Sequence, residues 1–300
     1  MTLLGAAAPI VVGIDGSPSS NAALDWAVDE AQRRGHPLSL VSAWGTDVIS
    51  DPLGPVLAAF DAECRAALDA AQARVIAAAP GVPVTTLVAR DRPAAALVAA
   101  SETADTVVLG SRGLGALRGA FAGSTSMHLA AHAACPVVVV RETGSDDPTS
   151  ARVVVGVDGS EASTDAVEYA FAQASHRGLG LTAVHAWALL FTPGVLGSGT
   201  QAEVLDQIGT QEAALAAESL AGWAEKYPDV DVRSHTVNGH VVDELADASQ
   251  GAALIVVGHR GRGGFAGLLL GSVAQGLLHR AHCPVAVVRA RRSDGVRRPG

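Results

Sequence analysis

Lysine is almost absent from this 300-residue chain: Lys226 is the only one, and every other basic side chain counted with it is an arginine. That scarcity excludes the enzyme classes that set a lysine on a transferring phosphate. A P-loop needs G-x4-G-K-[ST] and a protein kinase needs a strand lysine, whereas Lys226 lies in "WAEKYPD", apart from any glycine-rich loop. No G-x-S-x-G elbow and no H-E-x-x-H site is present either. The cysteines, Cys64, Cys135 and Cys283, are too few and too scattered for a disulfide framework or a zinc site. Cys135 and Cys283 each precede "PV" at the head of an apolar run and read as small core fillers. No apolar stretch reaches membrane-spanning length, and "MTLLGAAAPIVVG" lacks the charged start of a signal peptide, so a cytoplasmic protein without a membrane partner is expected. The net charge of −9 argues against a nucleic-acid partner.

What the chain has is hydrophobic material, 49% of its residues, and a pattern written twice. "IVVGIDGSPSSNAALDWA" at 10–27 returns as "VVVGVDGSEASTDAVEYA" at 153–170, and "AW" at 43–44 returns at 186–187 with the same step. "GSRGLGALRGAFAGST" at 110–125 returns as "GHRGRGGFAGLLLGS" at 258–272, and "CPVVVV" at 135 as "CPVAVV" at 283, with a step five residues longer. The second copy's extra residues therefore fall between Trp187 and Gly258. The polar stretch around 143–151 reads as a linker and the basic 291–300 as a solvated tail, leaving domains at 1–142 and 152–290.

In the first copy, Val-rich runs at 10–15, 38–44, 84–89, 106–110 and 136–140 are apolar on consecutive positions, as strands buried on both faces of a parallel sheet are. Helical patterns at 19–34, about 56–79, 93–103 and 123–133 alternate with them, the first opening on Ser17 as a cap with Pro18 behind it. The fold class is thus α/β: two tandem doubly wound, Rossmann-like domains, each with a five-stranded parallel sheet.

The glycine loops follow buried strands and so lie at the carboxyl edge of each sheet, where open α/β sheets bind ligands. Glycine offers positive backbone angles and close approach to main-chain N–H groups, and a Gly-Ser step opening a helix adds a hydroxyl and the positive end of the dipole. That combination suits phosphate. Arg112, Arg118, Arg260 and Arg262 supply positive charge, a solvated loop side chain being the plain alternative for each. Asp15 and Asp158 end the first strand of each copy; Asp-Gly-Ser is also ordinary turn chemistry, and the two loops at matched spacing favour binding.

The spacing G-x2-G-x9-G-[ST] occurs at Gly110, Gly113, Gly123, Ser124 and at Gly258, Gly261, Gly271, Ser272. With "VVG(I/V)DGS" before it, this resembles the universal stress protein family in its tandem, nucleotide-binding branch. The resemblance implies an ATP-binding stress-response regulator or sensor with one nucleotide per domain, Mg2+ carried by the phosphates, and little or no hydrolysis. It further implies Asp15 and Asp158 at ribose and phosphate, and the backbone of Ala43 and Ala186 at adenine. Gly110, Gly113, Gly258 and Gly261 then line ribose and phosphates, and the Gly123-Ser124 and Gly271-Ser272 steps hold the phosphate tail. Ser126 supplies a further hydroxyl, which Ala274 lacks. Competing readings are an ATP-using enzyme for adenylation or phosphotransfer and a nucleotide-independent scaffold; the S-G-G-x-D-S signature of ATP pyrophosphatases is not what "GIDGSPSS" spells.

Other features have plainer readings. His128 and His132 share a helix face, but their counterparts are Gly276 and Arg280, so a packed or solvated pair is expected rather than zinc. Trp44 and Trp187 either wall the base pocket or cap the core, packing being favoured, and Trp26 and Trp223 read as core. The uncharged fifth runs, Pro136 to Val140 and Pro284 to Val288, would make aggregation-prone edges, so antiparallel pairing with each other about a pseudo-twofold axis is expected. A homodimer through the same strands is the rival, and an unspecified protein partner completes the list.

Overall fold

Runs of valine, isoleucine and leucine flanked by turn residues become strands because β-branched side chains suit a pleated, buried surface. The computed structural model describes residues 7–45, 54–113, 123–141, 151–188, 198–262 and 269–289. The first half runs β1 (Ile10–Gly13), α1 (Pro18–Arg34), β2 (Leu38–Ala43), α2 (Gly54–Ala78), β3 (Val84–Ala89), α3 (Pro93–Ser101), β4 (Thr106–Gly110), α4 (Ser124–His132) and β5 (Val137–Val140). The second runs β6 (Val153–Gly156), α5 (Glu161–Arg177), β7 (Leu181–Trp187), α6 (Ser198–Leu220), α7 (Trp223–Lys226), β8 (Val232–Asn238), α8 (Val241–Ala248), β9 (Leu254–Gly258), α9 (Ser272–Arg280) and β10 (Val285–Val288). α6 and α7 together stand where α2 stands in the first copy: Lys226 lies six residues before Val232, as Ala78 lies six before Val84. The expected linker, apart from Ala151, and the expected basic tail lie outside the described residues.

α1 begins where Ser17 accepts the Ser20 N–H at 3.1 Å and Pro18 occupies the first turn, and it ends at Gly35 with φ 68. α5 repeats this with Ser160 and Gly178. Within each half all strand pairs are parallel, in the orders β3-β2-β1-β4-β5 and β8-β7-β6-β9-β10. The direction of winding reverses between β1 and β4 and between β6 and β9.

The fifth strands pair with each other as expected. β10 runs antiparallel to β5, with Val285 opposite Val139, Ala286 opposite Val138 and Val287 opposite Val137, giving one ten-stranded sheet. Val138 and Ala286 are repeat-equivalent, so the pseudo-twofold axis passes through that pair. Both cores continue across the seam: Val138 and Ala286 join the layer under α1 and α5, while Val137, Val139, Val285 and Val287 join the opposite one. The outer strands β3 and β8 are left as edges, blunted by exposed Thr85 and Thr86 and by exposed Arg233, Ser234 and His235. A reciprocal clamp completes the seam. Arg141, just past β5, donates to the Leu278 and His279 carbonyls at the end of α9, and Arg289, just past β10, donates to the Ala131 and Ala133 carbonyls at the end of α4. Cations belong at helix C-termini, where they meet orphan carbonyls and the negative dipole end.

Trp26 and Trp223, expected in the core, are instead half-buried at its margin: Trp26 lies under the Arg177 guanidinium at 4.8 Å, and Trp223 stacks near Phe171 and Tyr227. Cys135 and Cys283 are buried, and burial pushes both thiols up to about 12, as inert fillers require.

Candidate functional site

At each winding reversal the diverging crossovers leave a crevice at the carboxyl edge. Asp15, Ala43, Gly110, Arg112, Gly113, Gly123, Ser124 and Ser126 all line one cavity of about 380 Å³. Asp158, Ala186, Gly258, Arg260, Gly261, Gly271 and Ser272 all line its counterpart of about 470 Å³. The structure therefore gathers every described candidate residue into two equivalent places. Arg262 joins the second cavity; its repeat-equivalent, Leu114, and Arg118 lie outside the described residues.

The backbone does most of the shaping. Asp15 Oδ1 accepts the Ser17 N–H at 2.9 Å, and Asp158 Oδ1 accepts the Ser160 N–H at 2.9 Å and its hydroxyl at 2.7 Å. Each aspartate thus makes the Asx turn that starts the helix while its side chain lines the cavity: the turn reading and the site reading both hold. Gly16 and Gly159 take φ 78 and 71 to allow that turn.

The loop glycines work differently from the expected positive φ. Among the described residues Gly110, Gly113, Gly123, Gly258, Gly261 and Gly271 are outside the left-handed region. At Gly110, Gly113, Gly258 and Gly261 close approach is the reason instead. A Cβ on Gly110 would sit 2.6 Å from the Ser19 carbonyl, and one on Gly113 would sit 2.7 Å from Asp15 Oδ2. The loops are closed at the neck by backbone bonds, Gly123 N–H to Ser111 C=O at 2.9 Å and Gly271 N–H to His259 C=O at 2.8 Å.

α4 and α9 begin at Gly123 and Gly271 with no side-chain cap, unlike α1 and α5, so their first-turn N–H groups and Ser124 and Ser272 face the cavities. Arg260 adds a buried Nε with no hydrogen-bond partner. The opposite wall is apolar: Val41 and Leu97 in the first crevice, Val184 and Leu245 in the second. Sequence reasoning missed this wall, which comes partly from α3 and α8; the repeat spacing of Leu97 and Leu245 was the available signal. Ser20 and Ser163, also missed, accept the Asp15 and Asp158 N–H groups at 3.4 and 3.2 Å.

Neither Trp44 nor Trp187 lines a cavity. Trp44 stacks on Phe60 with centroids 5.4 Å apart and donates to Asp61 at 2.8 Å, a packing role. His128 and His132 stack on each other at 4.1 Å.

Two cavities of one design, built on repeated sequence, can be set beside known proteins. The sequence profile described as the Universal stress protein family matches residues 7–141 and again 150–289. The chain belongs to the universal stress protein family. A universal stress protein of Mycolicibacterium smegmatis is 39% identical over 292 residues, covering 94% of this chain and 97% of the relative. One from Mycobacterium tuberculosis is 39% identical over 293 residues, covering 93% and 96%. The solved universal stress protein of Archaeoglobus fulgidus superposes with a TM-score of 0.67 at 19% identity, covering 94% of this chain and 96% of its own, and so shares the fold. The family model matches the chain twice, once per half, so the two domains stand in tandem, and no helix among the described residues is long and apolar enough to cross a membrane.

Proposed function

We propose that this universal stress protein is a cytoplasmic stress-response regulator that holds one ATP in each domain and hydrolyses it slowly or not at all. The observation that carries the reading is the doubled crevice, in which an uncapped Gly-Ser helix start, an aspartate and close-packed glycines face an apolar wall. The wall of Val41 and Leu97, or Val184 and Leu245, suits a flat base, with the backbone of Ala43 or Ala186 at its polar edge. The helix N-terminus, Ser124 or Ser272, and Arg112 or Arg260 suit the phosphates. Both volumes fall within the range of small-molecule sites.

Magnesium would enter on the phosphates, with Asp15 and Asp158 as the carboxylates at hand. Among the described residues no cluster of three or more His, Cys, Asp or Glu forms a metal site of its own. Slow turnover follows from what lines the crevices. Lys226 pairs with Glu168 at 2.9 Å beside Trp223, away from both, and among the described residues no histidine lines either cavity. Phosphate release should stay below about 0.01 per second, against a common enzyme value of about 10. Several turnovers per second, abolished by Asp15→Asn with Asp158→Asn, would instead make the protein an enzyme.

Mass spectrometry of nucleotide released by denaturing freshly purified protein tests the binding itself. Adenine nucleotide at up to two per chain is expected. A flavin, or no nucleotide together with no calorimetric response to ATP, would overturn the reading.

A further inference from the structure

Where α1 crosses α5 over the seam, the two copies meet with unlike residues. Glu30 and Gln173 are repeat-equivalent and face each other at the pseudo-twofold axis, Gln173 Nε2 donating to Glu30 Oε1 at 2.5 Å. Glu30 is fully buried. Arg34 and Arg177 are likewise equivalent, yet their partners differ. Arg34 forks onto Asp105 of its own domain at 2.7 and 2.9 Å, with only a long 3.4 Å contact to Glu30. Arg177 has Ala253 where Asp105 would stand, and it reaches across to Glu30 Oε2 at 2.6 Å while its Nε holds Gln173 at 2.9 Å. The first domain thus brings Glu30, Arg34 and Asp105, one negative charge in excess; the second brings Gln173, Arg177 and Ala253, one positive.

The steric pairing on the same face is also unlike, because Val138 meets Ala286 at the axis and both are fully buried. By contrast, the Arg141 and Arg289 clamps are the same in both copies and do not tell them apart.

We propose that this face is a partner-selecting surface: each domain's seam accepts a domain of the other kind and rejects one of its own. Two first domains would bring two buried Glu30 carboxylates together while both arginines stay committed to Asp105. Two second domains would bury two Arg177 guanidiniums with no carboxylate between them. Buried charge without a partner is among the costliest arrangements a protein can adopt, so both like pairs are disfavoured. At the axis they would also place Val on Val, overfilled, or Ala on Ala, underfilled. The partner this surface fits is therefore a second-type domain carrying Gln and an unpaired Arg four residues apart, normally that of the same chain.

The full-length chain supplies the test, because single substitutions bring the like side chains of each disfavoured pairing to the axis. Gln173→Glu puts carboxylates on both sides of the axis, as two first domains would, and Glu30→Gln puts amides on both, as two second domains would. Thermal unfolding should show the first variant about 10 °C below the parent and the second about 5 °C below, while the exchange Glu30→Gln/Gln173→Glu recovers to within about 3 °C. If Gln173→Glu fails to accumulate folded, recovery in the exchange variant decides the matter. Either single variant matching the parent, or an exchange variant no better than the worse single one, would overturn the proposal.

Discussion

The two crevices share a frame and differ in their furnishing. Aspartate, loop glycines and Gly-Ser helix starts are the same in both, and all act through backbone geometry. The side chains next to them have diverged: the first crevice follows its Gly-Ser with Thr125 and Ser126, the second with Val273 and Ala274. Ser126 is buried and donates to the Gly110 carbonyl at 3.2 Å, tying the start of α4 to the end of β4. The second crevice, with Ala274 there, has no such hydroxyl tie; its Asp158 Oδ2 accepts the backbone N–H of Arg262 at 2.9 Å. The lesson is a division of labour. The main chain shapes both crevices alike, while the side chains that furnish them have been free to differ.

Variants that break this equivalence rank by size. The largest effect is expected from Gly123→Glu. A Cβ there meets nothing nearer than the Ser111 carbonyl at 3.7 Å, so the fold tolerates it, while the carboxylate repels phosphate. Calorimetry should find the ATP stoichiometry halved, with circular dichroism unchanged. Gly271→Glu is a less clean partner experiment, because its Cβ already crowds Arg260 and His259 at 3.2 Å and some loss of stability should accompany lost binding.

A middle-sized effect is expected from Ser126→Ala in a chain whose second crevice has been silenced by Gly271→Glu. Losing one buried hydroxyl bond is worth about 1 kcal/mol, so ATP affinity at the first crevice should drop about five-fold. Unchanged affinity in that titration would show that the tie is irrelevant to the ligand.

The smallest effect concerns pH. His259 stands where the first copy has Ser111, and burial first, then Arg289 and Arg260, hold its imidazole below the usual histidine range. The folded protein keeps this ring neutral where the unfolded chain takes up a proton. Its contribution to stability is therefore intact above about pH 6.5 and declines below it. His259→Ser should spare the chain roughly 1–2 °C of the fall in unfolding midpoint between pH 7.5 and 5. Identical pH slopes for parent and variant would contradict this.

Much of this molecule was legible in its sequence. Strand and helix positions followed from apolar runs and caps such as Ser17-Pro18, because those signals are local. The crevice residues followed from a motif met twice at fixed spacing, and the seam from uncharged "PVVVV" and "PVAVV", which no exposed edge could carry. Contacts made only when distant elements meet stayed hidden. Glu30 sits in a helix whose exposed face is also charged, so nothing local marks it as the buried centre of a seam. Arg141 and Arg289 read as ends of strands rather than as clamps on the opposite domain's helix. The glycine loops were located correctly for a partly mistaken reason, since crowding by Ser19 and Asp15, not backbone sign, demands glycine at Gly110 and Gly113.

The antiparallel pairing of β5 with β10 has a directional consequence. It sets the two halves head to tail, so the mouths of the two crevices open toward opposite ends of the sheet. Four strand spacings and the depth of the sheet separate them, on the order of 25 Å. A single ligand of ordinary length cannot bridge that gap, and a protein reading the loop at one end leaves the other uncovered. The molecule accordingly has two separate mouths facing opposite ways rather than one cleft around a single guest.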